Sequence, residues 1–484
     1  MTELAFRSAT ELAAEIAQRR LGSLELLDYF LARVDRFNPK LNILIAQDRD
    51  GARARAKAAD AALARGERWG PLHGLPMTVK ESYDVKGLPT TWGVPALKGS
   101  IAATNSVVVD RLQAAGAVVF GKTNVPLLLG DLQSYNEVYG QTGNPWDPGR
   151  TPGGSSGGSA AALAAGLTGL EAGSDIGGSI RNPAHFCGVF GHKPTWGIVP
   201  PRGHAINGVL TPGDISVVGP LARSAEDLAL ALDCIAGPDV MQAPGWQLAL
   251  PAPRQKSLKD FRVALWFQDP VCAVDRAITD RLQAIAERLG KLGARIDDKA
   301  RPKFDSRRSH EIFLKLMLAV VTARSPQENF DKARAEVGGL KPEDLSFGAM
   351  ATRAAALHHR EWIAANEERT RLRWAWHAFF GDYDVVLAPM AAVPAFKHDH
   401  SEPQTRRTLQ VNGRSEAYLD QIFWAGLAGV VYLPATVAPA GLSPDGLPVG
   451  VQIIGPELGD RTTIEFARLL AAEIGGFQPP PGYA

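Results

Sequence analysis

The chain has 484 residues, of which 45% are hydrophobic, and it carries 52 Lys and Arg against 51 Asp and Glu. A net charge of +1, with no long basic run, gives no electrostatic footprint for nucleic acid or for a membrane surface. The three cysteines, Cys187, Cys234 and Cys272, are too widely spaced for a CxxC motif, and an odd number argues against a disulfide framework. We therefore expect a cytoplasmic globular protein with neither nucleic acid nor membrane as a partner.

The first 66 residues are predicted to be mostly helical. Ser8-Ala9-Thr10-Glu11 is a capping box, so a helix is expected to begin near Ser8. A second amphipathic stretch, around residues 26–34, is predicted to end at Asn38-Pro39. An Ala/Arg-rich run over residues 48–65 predicts a third helix, closed by Gly66.

Beyond residue 66, short apolar runs alternate with helical patterns. Strands are predicted over residues 77–80, 117–120, 263–267, 384–388 and 449–454, and helices over residues 107–115, 280–292 and 463–474. Residues 236–258, rich in proline, resemble a surface excursion, and residues 308–380 read as a charged helical insertion. This alternation predicts an α/β fold, with one large sheet that has helices on both faces.

An uncharged run over residues 422–442 is long enough to raise the question of a membrane span. It contains several glycines and prolines, which are unfavourable within a single long helix. We interpret it as a buried helix followed by a strand.

Two short motifs match known patterns without the structural context that those patterns need. The run from Gly116 to Thr123 fits the phosphate loop GxxxxGK[ST], but its four middle residues favour a strand and Pro126 stands where the helix should begin. The run from Gly153 to Gly157 fits the nucleophile elbow GxSxG, but the proline-rich segment before it cannot be a central strand. We expect neither nucleotide binding nor an α/β-hydrolase elbow.

The segment from Pro152 to Pro194 carries the strongest indication of a site. Two glycine- and serine-rich turns, around Ser155 and Ser179, flank one short small-residue helix over residues 160–166. Glycines beside a serine let several backbone amides converge on one point, as an oxyanion hole requires. Tight turns in a crowded core are the plainer interpretation, but two serine-bearing turns 24 residues apart favour a site.

This segment resembles the amidase signature family nearly throughout. The resemblance extends upstream through residues 74–81 and 121–124 and downstream to residues 448–455. It implies a single domain over residues 1–484 with a large mixed β-sheet core flanked by helices on both faces. Within it, residues 1–66 would be a helical N-terminal segment, residues 70–230 the signature core, residues 236–415 a variable part, and residues 421–484 the C-terminal part of the core.

The resemblance also implies roles for individual residues. Ser179 would be the nucleophile, Ser155 the bridging serine after a cis peptide bond, and Lys80 the base. The amides of Ile176, Gly177, Gly178 and Ser179 would form the oxyanion hole, Leu129 would lie beside the substrate, and supporting groups would be Ser156, Asp175 and Arg181.

The chemistry is consistent with elementary principles. A lysine accepts a proton only when it is neutral, so burial of Lys80 beside Met77 and Val79 should lower its pKa. Ser155 could then relay a proton between Ser179 and Lys80, and such a reaction needs no metal and no organic cofactor.

Rival residues are less suited to the chemistry. Cys187, among apolar neighbours, is better explained as inert core than as a nucleophile. The ten histidines show no recognisable metal-ligand spacing, and His185 and His192, although near Ser179 in sequence, are not required by the mechanism.

The sequence thus predicts an amidase that hydrolyses a small-molecule carboxylic amide to an acid and ammonia or an amine. Ester or carbamate hydrolysis, the glutaminase subunit of a tRNA-dependent amidotransferase and a binding protein without turnover remain alternatives. The amidotransferase is disfavoured because residues 213–217 read Gly-Asp-Ile-Ser-Val, where that branch usually carries Ser-Ser-Leu-Asp-Gln. Aromatic and apolar residues in the variable half hint at an aryl or alkyl acyl group, and the N-terminal helical pair could serve a homodimer interface.

Overall fold

The computed structural model describes residues 3–206 and 208–483. In these ranges the α-helices are α1 (Ala9–Ala17), α2 (Ser23–Leu41), α3 (Arg49–Ala64), α4 (Val107–Ala114), α5 (Gly157–Ala164), α6 (Arg181–Cys187), α7 (Ala225–Ile235), α8 (Arg276–Lys291), α9 (Ser306–Thr322), α10 (Gln327–Glu336), α11 (Phe347–Ala355), α12 (His359–Phe379), α13 (Ile422–Gly429) and α14 (Asp460–Ile474). The strands are β1 (Leu44–Gln47), β2 (Pro76–Lys80), β3 (Val118–Thr123), β4 (Tyr135–Asn136), β5 (Gly140–Gln141), β6 (Glu171–Asp175), β7 (Phe190–Lys193), β8 (Val217–Ala222), β9 (Arg262–Leu265), β10 (Arg295–Asp297), β11 (Val385–Pro389), β12 (Thr408–Val411), β13 (Arg414–Ala417), β14 (Ala435–Leu442) and β15 (Pro448–Ile454).

The core is an eight-stranded mixed sheet in the order β10-β9-β11-β15-β14-β7-β8-β6. Strands β9, β10 and β11 pair in parallel, and the other neighbours are antiparallel. Strand β6, at one edge, leads directly into the turn that precedes α6. The predicted α/β fold with a large mixed sheet is confirmed.

The prediction of one continuous sheet is wrong, because β2 lies in a separate three-stranded sheet of order β1-β3-β2. At the free edge of β2 the amide of Thr78 donates to the side-chain oxygen of Thr168, 3.0 Å away. A side chain thus occupies a donor that a neighbouring strand would otherwise bind, and β2 and β6 meet without forming a ladder. The catalytic lysine predicted at the end of β2 therefore comes from the smaller sheet.

Local sequence explains the element ends. Ser8 accepts a hydrogen bond from the amide of Glu11, and the Glu11 carboxylate accepts one from the amide of Ser8, which is the predicted capping box. Helix α2 does not stop at Asn38-Pro39 but continues to Leu41, because a proline near the end of a helix removes only one hydrogen bond. Asn42, in the left-handed conformation at φ 51°, terminates it instead.

The uncharged run over residues 422–442 forms the buried helix α13 followed by strand β14, as predicted. Among the described residues, no helix is both long enough and apolar enough to cross a membrane. Residues 308–380 are largely helical, as α9 to α12, and α9 packs against α13 close to the glycine-rich segment.

Candidate active site

Lys80, the last residue of β2, is completely buried. Its Nζ donates hydrogen bonds to the Oγ of Ser155 at 2.6 Å and to the Oγ of Ser174 at 2.9 Å. Burial lowers the pKa of Lys80 from 10.5 to about 7, although the carboxylates of Asp175 and Glu171 act to raise it. A substantial fraction of Lys80 is therefore neutral near pH 7, as the sequence led us to expect.

Ser155 lies in a turn that has no space for a larger residue at position 154. The peptide bond between Gly154 and Ser155 is cis, in agreement with the expectation from the resemblance. A Cβ atom at Gly154 would collide with the carbonyl oxygen of Asp131 and lie 2.7 Å from the amide nitrogen of Gln133. Glycine is thus required for the close approach of this turn to the backbone of residues 131–133.

The nucleophile position is the turn between β6 and α6. Ser179 is buried, and its carbonyl oxygen accepts a hydrogen bond from the amide of Ser156 at 3.1 Å. In the part of the chain that the structure describes, no hydrogen bond involves the Ser179 hydroxyl. The two serine turns are therefore tied together through the backbone, and the Ser179 hydroxyl is left available.

The backbone amides of this turn divide into two groups. Those of Ile176, Gly177 and Ser179 donate no hydrogen bond within the described ranges. The amide of Gly178 instead donates to Oδ1 of Asp175 at 2.9 Å, which corrects its expected role as an oxyanion donor. Gly178 contributes its conformation, because its φ of 108° belongs to the left-handed region that favours glycine.

Asp175 and Arg181 form a completely buried ion pair that fixes the turn from below. Oδ1 and Oδ2 of Asp175 accept from the Arg181 guanidinium at 2.8 and 2.9 Å, and Oδ2 also accepts from the amide of Ile180 at 3.1 Å. Although burial acts to raise it, the guanidinium and the backbone amides lower the pKa of Asp175 to about 2. Asp175 thus remains an anion and holds the amides of the turn in one direction.

Three contributors to this arrangement were not identified as site residues from sequence. Ser174 accepts from Lys80, Tyr83 donates to the carbonyl oxygen of Gly173 at 2.6 Å, and Gln452 accepts from Arg181 at 2.6 Å. Ser174 and Gln452 lie inside motifs recognised in the sequence, but their partners are determined by how the strands pack. Spacing along the chain gave no indication of these contacts.

Ser156, predicted as a supporting residue, connects α5 to β6. Its Oγ lies 3.4 Å from both the amide nitrogen and the carbonyl oxygen of Ser174. This places Ser156 directly behind the serine that contacts Lys80.

Leu129 ends a short turn, Leu127–Leu129, in which Leu128 and Leu129 have φ values of 51° and 59°. It is half-buried, and the following segment, through Asp131, packs on Gly154. A position of Leu129 beside the bound substrate stays a prediction.

The walls next to the oxyanion turn are apolar. The ideal Cβ position of Gly177 is 3.3 Å from Sδ of Met317, which lies on α9. That of Gly178 is 2.9 Å from Cε of Met390 and 3.2 Å from Cβ of Ala425. Thioether and methyl groups therefore surround the place where the acyl group would bind.

The rejected motifs have structural roles. Lys122, of the run that resembles a phosphate loop, lies in strand β3 and donates to the carbonyl oxygen of Pro89 and to Oγ1 of Thr90. Cys187 is completely buried, and burial raises the pKa of its thiol. His185 and His192 bond to Gly450 and Asp460 and not to the Lys80 and serine groups. Within residues 3–206 and 208–483 no group of three or more His, Cys, Asp or Glu side chains is arranged to hold a metal ion.

Comparison with known proteins identifies the family. The sequence model described as Amidase matches residues 25–464. The chain belongs to the amidase family. This amidase is 34% identical over 502 residues to one of the subunits of the glutamyl-tRNA(Gln) amidotransferase of Anaeromyxobacter sp. (strain K), with 99% of this chain and 98% of that protein covered.

Other similar proteins have different printed activities. Indoleacetamide hydrolase of Bradyrhizobium diazoefficiens is 34% identical, with 97% of this chain and 86% of the relative covered. The structure of 6-aminohexanoate cyclic dimer hydrolase superposes with a TM-score of 0.79 at 26% identity and covers 99% of each chain. The protein is therefore a hydrolase family member that acts on carbon–nitrogen bonds of amides.

Proposed function

We propose that this amidase converts a carboxylic amide to an acid and ammonia or an amine through an acyl-enzyme on Ser179. The observation that carries the proposal is the contact between Lys80, with a pKa of about 7, and the Ser155 hydroxyl, beside three unbonded amides. A neutral lysine can withdraw a proton from a hydroxyl, and unbonded amides can stabilise a negative oxygen.

The steps balance in protons and bonds. The Oγ of Ser179 attacks the carbonyl carbon while its proton passes to Ser155, and the Ser155 proton passes to neutral Lys80. The oxygen that becomes negative accepts from the amides of Ile176, Gly177 and Ser179. The carbon–nitrogen bond then breaks as the leaving nitrogen takes a proton back through Ser155, and water repeats the sequence on the acyl-enzyme.

The acyl group of the substrate is proposed to be alkyl or aryl and uncharged. Met317, Met390 and Ala425 line the oxyanion turn with apolar atoms, and none of them could pair with a charged acyl substituent. A relative named for indoleacetamide, at 34% identity, is consistent with an aromatic acyl group.

A second candidate is the glutaminase component of a tRNA-dependent amidotransferase, favoured by relatives of that name at 34% identity. This reading would require partner proteins. Its weakness lies at residues 213–217, where the sequence departs from that branch. Asp214 in this segment accepts from Arg369 at 2.6 Å and from Tyr432 at 2.5 Å, so its carboxylate is already paired.

The test compares the wild type with Ser179→Ala on a panel of primary amides, anilides, esters, carbamates and glutamine. We expect hydrolysis of apolar amides by the wild type, about 10⁴- to 10⁶-fold less in Ser179→Ala, and a trapped acyl adduct on Ser179 by mass spectrometry. Cys187→Ala is the matched control and should keep its activity, because Cys187 lies in the core and outside the triad.

Each other outcome changes the assignment. Loss of activity in Cys187→Ala with an adduct on that residue would transfer the nucleophile to the cysteine. Turnover of glutamine alone would favour the amidotransferase. Preference for esters or carbamates would keep the chemistry and change the substrate class.

A further inference from the structure

A buried carboxyl group lies beside the catalytic lysine without any part in the reaction described above. Glu171, the first residue of β6, is 1% exposed. Its Oε1 accepts a hydrogen bond from the Thr78 hydroxyl, whereas Oε2 has no hydrogen bond of normal geometry among the described residues. A buried carboxylate oxygen without a donor is costly, so this group calls for an explanation.

The position of Glu171 connects it to Lys80. Thr78 and Lys80 are two residues apart on β2, so their side chains leave the strand on the same side, toward β6. Thr78 bonds Glu171, and Lys80 bonds Ser174 on the same strand. Since no ladder joins β2 to β6, these side-chain bonds set the distance between the two strands.

The surroundings of Glu171 favour its neutral form. Helix α5 and strand β3 present only the hydroxyls of Ser159 and Thr123, which bond each other at 3.0 Å, and β8 presents no charged side chain. Burial raises the pKa of Glu171 to about 8, although the Thr78, Ser159 and Thr123 hydroxyls oppose this rise. A protonated Oε2 is a donor, and hydroxyl oxygens near it are acceptors.

The other ionisable groups near Glu171 are Lys80 and Tyr83 from β2 and the loop after it, and Asp175 at the far end of β6. An ionised Glu171 would raise the pKa of Lys80 and so increase the fraction of lysine that cannot act as a base. Catalysis near neutral pH therefore benefits from a neutral group at position 171.

We propose that Glu171 is a positioning residue that acts as the neutral carboxylic acid. It holds β2 against β6 through Thr78, so that Lys80 meets Ser155 and Ser174, without placing a negative charge beside the amine. This inference rests on the proposed reaction, in which Lys80 must be neutral.

The first test compares Glu171→Gln with Glu171→Leu. Glutamine keeps a neutral acceptor for Thr78 and a donor in place of the acid proton. We expect its kcat/KM to stay within about twofold of the wild type, with the acidic limb of the pH profile unmoved. Leucine has a similar volume without these bonds, and should lower kcat about 10- to 100-fold with KM unchanged.

Thr78→Val provides the second arm, because it removes the same bond from the other strand. We expect it to lower kcat about as much as Glu171→Leu does, and the double variant to be no worse than either single one. Thermal melts identify any variant that does not fold. Thr78→Val still decides the question if Glu171→Leu fails to fold.

A third measurement does not depend on turnover. At pH 6 the infrared spectrum of the wild type should contain a protonated-carboxyl C=O stretch that is missing in Glu171→Gln. Absence of that band would overturn the proposal even in an active enzyme, whereas an enzyme inactive on every amide with the band present would overturn only the proposed function.

Two kinetic results would also contradict the proposal. A tenfold loss in Glu171→Gln, or a displacement of its acidic limb to lower pH, would identify Glu171 as a counter-anion for Lys80. Unchanged kcat in both Glu171→Leu and Thr78→Val would exclude a positioning role.

Discussion

Two buried lysines in this molecule have nearly the same acidity and different surroundings. Burial lowers the pKa of both Lys80 and Lys193 to about 7. Lys80 donates to the hydroxyls of Ser155 and Ser174, whereas Lys193 donates to the backbone carbonyl oxygens of Pro194 and Leu433, at 2.9 and 2.8 Å. A hydroxyl can give its proton to the lysine and a carbonyl cannot, so the partner atoms, more than the pKa, distinguish a base from a structural lysine.

Replacing each lysine by methionine should separate the two roles most strongly. We expect Lys80→Met to lower kcat/KM by about 10²- to 10⁴-fold, because the proton acceptor is lost. Lys193→Met should keep kcat/KM per folded molecule and lose about 1–3 kcal/mol of unfolding free energy, because two buried carbonyls lose their donor. Steady-state kinetics and urea denaturation of both variants provide the measurements. Equal kinetic losses in the two variants would remove the distinction.

The pH dependence should sharpen the same comparison. Only neutral Lys80 accepts a proton, so kcat/KM should increase about tenfold per pH unit below an inflection near its pKa of about 7 and level off above it.

Lys193 has the same shift, and its signature is in stability. The unfolded state holds more protons on this lysine between its folded pKa of about 7 and its ordinary value of 10.5, so it makes the unfolding free energy increase with pH across that window. Lys193→Met should remove this part of the increase, measured by urea denaturation at several pH values, and leave the kinetic inflection unmoved. A moved inflection would show that Lys193 is coupled to catalysis.

The smallest effect concerns one hydroxyl beside each of two buried lysines. Ser174→Ala removes a 2.9 Å bond from Lys80, and Thr90→Val removes a bond of the same length from Lys122. We expect Ser174→Ala to lower kcat about 5- to 10-fold, equivalent to about 1 kcal/mol, and Thr90→Val to leave kcat unchanged. Initial rates at saturating substrate test this, and a larger loss in Thr90→Val would show that the Lys122 region contributes to catalysis.

Much of this site could be predicted because its contacts are local in the sequence. The turn from Asp175 to Arg181 supplies the unbonded amides and the carboxylate that orients them, and the motif contains them all. The burial of Lys80 followed from its apolar neighbours. The single-domain division, the homodimer and the cytoplasmic location stay predictions.

Contacts between distant segments could not be predicted. The separation of β2 from the large sheet depends on the Thr168 hydroxyl, 90 residues away, and the link from Arg181 to Gln452 spans 271 residues. The amide of Gly178 belongs to another class of error, since the motif shows that the amide exists and not which oxygen it meets. Periodicity reports burial and leaves such pairings open.

The contact of Met317 with the oxyanion turn has a consequence for how this protein can change. The reacting groups come from residues 80–181, whereas Met317 belongs to a helix more than 130 residues further along the chain. Selectivity and reactivity are thus encoded in separate stretches of the gene. A mutant library restricted to α9 would sample new acyl groups while the reacting serines and lysine retain their inherited geometry, and recombination between relatives could exchange one stretch without the other.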